Sequence, residues 1–159
     1  MDGVLGRTYE GQNCSIARTL EVVGERWTLL ILRDACVRDV RRFVDFQRSL
    51  GIARNVLAVR LQRLCEHGLL ERRTYREGSE LFEYHPTAKG LDLFPVLATL
   101  MHWGDRYLAE SGPPGVLEHK DCGGEPDHAL ICTVCGQQLG ALDVHTRPGP
   151  GAAAHTVAA

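Results

Sequence analysis

The feature that most restricts how this chain can fold is a change of period at Gly68. Before it, Leu57, Leu61 and Leu64 recur at i, i+4 and i+7, the spacing of one buried stripe on a helix running from about Ala53 to His67. After it, LLERRTY and ELFEYH alternate on either side of the glycine turn REGS, which predicts a β-hairpin. Gly68 is the expected helix stop.

Three helices are expected upstream. Ser15 is placed to cap the first, whose apolar residues are Ile16, Leu20 and Val23 and whose end is Gly24. The second, Arg26 to about Cys36, is apolar on most sides and belongs at the centre of the fold. The third, from about Val40 to Ser49, puts Phe43 and Phe46 on one face, and Gly51 and Ile52 turn the chain into the Leu57 helix. Downstream, Thr87 is expected to cap one long helix reaching about Glu110, kinked by Pro95. Its apolar face is too wide for one small domain to cover, so a second copy is expected against it; the alternative is a helix folded back on its own domain.

Two helices joined by a tight turn and followed by a basic hairpin make a winged helix-turn-helix: mainly α with a small β-hairpin wing, an α+β arrangement. In that fold the second helix enters the major groove and the hairpin lies along the backbone. Charge agrees with a polyanion partner. Between Arg38 and Arg76 ten arginines face four acids, a net +6, while from Leu91 onward three basic residues face eight acids, a net −5, within a chain of net charge −2. With the leucines inward, helical geometry turns Arg54, Asn55, Ala58, Val59 and Gln62 outward. Arg54 and Asn55 suit a phosphate at the helix N-terminus, Gln62 suits adenine, and Ala58 and Val59 suit a thymine methyl. Arg42, Arg63 and the hairpin residues Arg72, Arg73 and Arg76 complete the expected DNA-binding set, whereas Arg60 fits a structural ion pair equally well.

The run GERWTLLILRD, then RRFVDFQRSLGIARNVLAVRLQRLCEHGLLERR, then EYHPTAKGLDLFPVLATLMHWG resembles the HxlR-type transcriptional regulators from Cys14 to Gly104. The resemblance implies a DNA-binding homodimer joined through its first and last long helices, acting on a pseudo-palindromic operator, with repression as the expected output. It also implies that a cysteine at the place of Cys14 can respond to oxidants or electrophiles; a thiol at a helix N-terminus has its thiolate stabilised, which agrees. A small ligand is the other signal considered. Departures are Ser15 in place of a proline, CVRDV (36–40) in place of a glycine-bearing turn, Cys65 in place of a glutamate, and a hairpin without its usual proline.

The expected organisation is a flexible arm (1–13), the DNA-binding and dimerisation domain (14–110), a linker (111–116), a cysteine- and histidine-bearing tail (117–147) and a disordered end (148–159). In the tail, His119-x2-Cys122 and Cys132-x2-Cys135 each precede a glycine, the pattern of two zinc knuckles, and a zinc-ribbon-like segment holding one structural zinc ion through these four residues is expected. His128 and His145 compete for the fourth place, and a metal-free hairpin or a CxxC redox centre are the other readings. No secretion signal or membrane span is visible, so the six cysteines are expected as reduced thiols in a soluble, cytoplasmic protein. No nucleophile–base–orienter set, phosphate-binding glycine loop or carboxylate pair is readable, which argues against an enzyme. A winged-helix protein-interaction module is the alternative to the DNA reader, and a thiol-based redox-sensing regulator acting through Cys14 is a further one.

Overall fold

The computed structural model describes residue 9, residues 13–75 and residues 81–154, without the side chains of 153 and 154. The chain divides into two compact units, residues 1–97 and 98–159.

The first unit is built from α1 (Ser15–Val23), α2 (Thr28–Cys36), α3 (Phe43–Leu50), α4 (Arg54–Glu66), the hairpin β1 (Leu70–Thr74) and β2 (Phe82–Pro86), and the short α5 (Ala88–Leu91). Its core gathers Val23, Ile31, Leu32, Ala35, Phe46, Ile52, Leu57, Leu61, Leu64, Leu69 and Leu70. The α4 leucines are buried as a stripe, as the period predicts, each contributing about 2 kcal/mol of burial. Gly51 caps α3 at φ 61° and Gly68 follows α4 at φ 67°, left-handed conformations that cost glycine nothing.

The hairpin is antiparallel, with Leu70 opposite Pro86 and Arg72 opposite Tyr84. It is anchored in three places. Tyr84 packs edge-on against Phe46 at 6.4 Å. The Tyr84 N–H donates to the carbonyl of Arg41 at 2.8 Å, and Arg42 forms a bridge with Glu83, so the segment entering α3 lies along β2. Gly90 sits so close to β1 that a Cβ there would be 2.1 Å from the Leu69 carbonyl oxygen.

Two local expectations are corrected. Cys14, and not Ser15, occupies the cap position of α1, and no side-chain cap bond forms; Ser15 is already helical. The long helix after Thr87 is two helices, α5 and α6 (Phe94–Leu108), because Pro95 lacks an N–H and its ring excludes a carbonyl one turn earlier; it sits in the first turn of a new helix, where neither matters. Thr87 does cap, accepting from the Gly90 N–H at 3.1 Å, but it caps α5. In the turn at 36–40, which lacks a glycine, Asp39 adopts φ 56°, one of the few residue types that does so readily, and pairs with Arg41.

The second unit holds most of α6 and a two-residue hairpin, β3 (Leu130–Ile131) with β4 (Gln138–Leu139). Residues 150–154, expected to be disordered, form a 3-10 turn. Among the described residues no helix is long and apolar enough to cross a membrane.

Candidate nucleic-acid interface

Burial of Leu57, Leu61 and Leu64 fixes the rotation of α4, and its opposite side presents Arg54, Asn55, Ala58, Val59, Gln62 and Arg63, all exposed. Arg54 lies over the Phe43 ring at 5.2 Å, a contact that holds its guanidinium at the start of α4. Gln62 donates to Glu66 at 2.9 Å, so reading a base with Gln62 requires exchanging that bond. Arg60 turns away from this surface: its Nε lies 2.9 Å from Glu25 Oε2, off the hydrogen-bond direction, and the ion pair ties α4 to the α1–α2 turn.

The hairpin arginines differ among themselves. Arg72 shares a face with Phe82, lying 5.5 Å from its ring, and Arg73 points to the other face, where its Nε donates to Glu71 at 2.8 Å. Arg42 lies 4.3 Å over the Tyr75 ring and 3.4 Å from Glu83; its pKa is raised first by Tyr75 and then by Glu83. Arg42 thus joins α3 to the wing while staying exposed. Arg76 lies outside the described residues.

Sequence reasoning missed Asp34. It is fully buried on the Ile31 face of α2, accepts from Arg33 at 2.7 Å and pairs with Arg38 at 3.5 Å. The available signal was a carboxylate three residues after Ile31, on the face the helix must bury.

The cysteines fall into two chemical groups. Cys14 has its pKa lowered, because the amides of Ala17 and Ile16 at the start of α1 favour the thiolate and Arg18 adds to this. Cys36 and Cys65 are half-buried, and desolvation raises both. In the tail, His119 Nδ1 lies 3.1 Å from Cys122 Sγ, and the amide of Cys135, then that of Val134, lower the pKa of Cys132. The structure thus brings His119 to Cys122 and Cys132 to Cys135. It does not join the two pairs: among the described residues no three His, Cys, Asp or Glu are gathered to hold a metal ion.

A helix-turn-helix with a polar, arginine-bearing outer face on its second helix, followed by a wing, is the geometry of a groove reader. The profile of the HxlR-like helix-turn-helix family matches residues 22–112. The chain belongs to the HxlR-like helix-turn-helix family.

This HxlR-like protein is 49% identical over 148 residues to HTH-type transcriptional regulators of Mycobacterium tuberculosis and Mycobacterium bovis, with 92% of each chain covered. It is similar to the crystal structure of PA1607, a candidate transcription factor, with a TM-score of 0.79 and 35% identity over 88% of this chain and 98% of that one. The reduced form of the redox regulator HypR matches less of it, with a TM-score of 0.54 and 27% identity over 62% of this chain and 99% of that one. The first two comparisons leave too few residues unmatched to omit the tail. The HxlR-like chain is a DNA-binding helix-turn-helix transcriptional regulator.

Proposed function

We propose that this regulator works in the cytoplasm as a homodimeric repressor that reads an inverted-repeat operator in duplex DNA. The observation that carries the reading is the two-sidedness of α4, leucines inward and Arg54, Asn55, Ala58, Val59, Gln62 and Arg63 outward. Arg54 and Asn55 at its N-terminus meet phosphate or base edges, Gln62 meets adenine, and Ala58 and Val59 make apolar contact. Arg42, Arg63, Arg72, Arg73 and Arg76 supply phosphate contacts that set register without carrying sequence information.

Dimerisation is supported by uncovered apolar side chains on the two expected interface helices: Ile16 and Leu20 on α1, and Val96, Leu100, Trp103 and Tyr107 on α6. A two-fold dimer duplicates α4 and so calls for a repeated half-site. Occupation of a promoter by helix and wing excludes competing proteins, which makes repression the simplest output.

Selection of duplexes from a random pool tests the reading. Enriched sequences should contain an inverted repeat, be bound by two chains, and be released as salt rises, with the logarithm of affinity falling linearly in the logarithm of salt concentration. A monomer in solution, or affinity for duplex that is independent of salt, overturns it and favours a protein-interaction module.

Cys14 supports a second reading, a regulator switched by oxidants. Its thiol is the one in the first unit whose pKa is lowered among the described residues, and the similar HypR structure is that of a redox regulator. Mild peroxide should release operator from the native protein and leave Cys14→Ser bound; equal release of both sinks the reading.

A further inference from the structure

We propose that residues 117–139 bind one zinc ion through His119, Cys122, Cys132 and Cys135.

The backbone carries the argument. Residues 119–124 and 132–137 are two copies of one turn. In the first, the His119 N–H donates to the Gly124 carbonyl at 2.8 Å and the Gly123 N–H donates to the His119 carbonyl at 2.9 Å. In the second, the Cys132 N–H donates to the Gln137 carbonyl at 2.9 Å and the Gly136 N–H donates to the Cys132 carbonyl at 2.9 Å. Each turn places a potential ligand at its first and fourth positions and a left-handed glycine at its fifth, Gly123 at φ 71° and Gly136 at φ 73°. In the first, the 3.1 Å between His119 Nδ1 and Cys122 Sγ is close to the separation of about 3.5 Å that a nitrogen and a sulfur have on tetrahedral zinc at ordinary bond lengths.

A second observation is energetic. The β3–β4 hairpin has two residues per strand, and its apolar side chains are not buried: Leu130 is 70% exposed, Ile131 53% and Val134 93%. A hairpin that short does not hold itself together in water, and a segment without a core is ordered by cross-links or metal. Two matched ligand turns with no core between them are what a metal-ordered segment consists of.

His119 is preferred to the other tail histidines. His128 turns its Nδ1 to His102 Nδ1 at 2.7 Å, and His145 belongs to neither turn. Because no three ligands are gathered among the described residues, the ion must draw the two turns together, and residues 123–129 contain no helix or strand to resist. The thiols release their protons to solvent as the metal binds.

Metal analysis and cobalt substitution of the full chain test this. Protein purified under reducing conditions should carry one zinc per chain; Cys132→Ser with Cys135→Ser should carry none, and Cys36→Ser should retain it. Cobalt in place of zinc should give the intense bands of a tetrahedral thiolate site, altered by His119→Ala and untouched by His128→Ala. Operator binding by each variant confirms that the first unit is folded. Reduced protein that is metal-free and takes up no cobalt overturns the proposal. So does a spectrum that responds to His128→Ala and ignores His119→Ala, which overturns the ligand set.

Discussion

The two units of this chain are ordered by different forces. In the first, apolar side chains from four helices and a strand disappear from solvent, and the polar residues left outside form the surface proposed to face DNA as a by-product of that burial. In the second, the hairpin leaves its apolar residues in water, and the order visible is that of hydrogen-bonded turns around cysteine and histidine. One unit holds its outward polar residues by packing their neighbours; the other holds its cysteines and histidine by the turns they sit in.

Substitutions of equal chemistry should therefore have unequal effects. Leu61→Ala should cost about 2–5 kcal/mol in denaturant unfolding of the first unit, whereas Leu142→Ala, fully exposed, should stay within about 0.5 kcal/mol. Equal costs would break the contrast. Gly90→Ala comes next, at about 1–3 kcal/mol, because its methyl cannot coexist with the Leu69 carbonyl and α5 must shift; Gly104→Ala, with nothing within 4 Å of a Cβ, should show no such loss. The same denaturation series measures both.

Smaller still is a chemical difference among thiols. Alkylation of Cys14, followed by peptide mapping as pH is raised, should rise through a midpoint below the ordinary thiol value of 9.0. Depression of its pKa by the α1 amides means that the thiolate is already present at lower pH. Cys36 and Cys65, raised by desolvation, should react through midpoints above 9.0. A common midpoint for all three would remove the physical basis for singling out Cys14.

What the sequence made legible follows the same division. The α4 stripe, the hairpin and the outward set from Arg54 to Arg63 could be read because burial has a period, and a period survives in one dimension. Pro95 announced a disturbance, but whether a helix bends or restarts depends on whether the residues around it can form a new first turn, which periodicity does not record. Asp34 was missed because a buried carboxylate among apolar neighbours is made tolerable by Arg33 and Arg38, contacts that exist only in three dimensions. The alternatives open to Arg60 were separated by Glu25, which lies far away in sequence. In the tail, spacing showed which residues could be ligands, and the repeated turn geometry needed coordinates.

In the proposed mode of binding, the outward side of α4 reads bases while the wing only holds phosphates. Base-by-base binding of a selected operator and its single-position variants, by the native protein and by Arg54→Ala, Asn55→Ala, Gln62→Ala and Arg73→Ala, tests it most directly. Each α4 variant should lose preference at particular positions, worth about 1–3 kcal/mol there, while Arg73→Ala weakens all sequences alike and reduces the salt slope by about 1. Base preference that survives the α4 substitutions, or that changes with Arg73→Ala instead, would contradict the account.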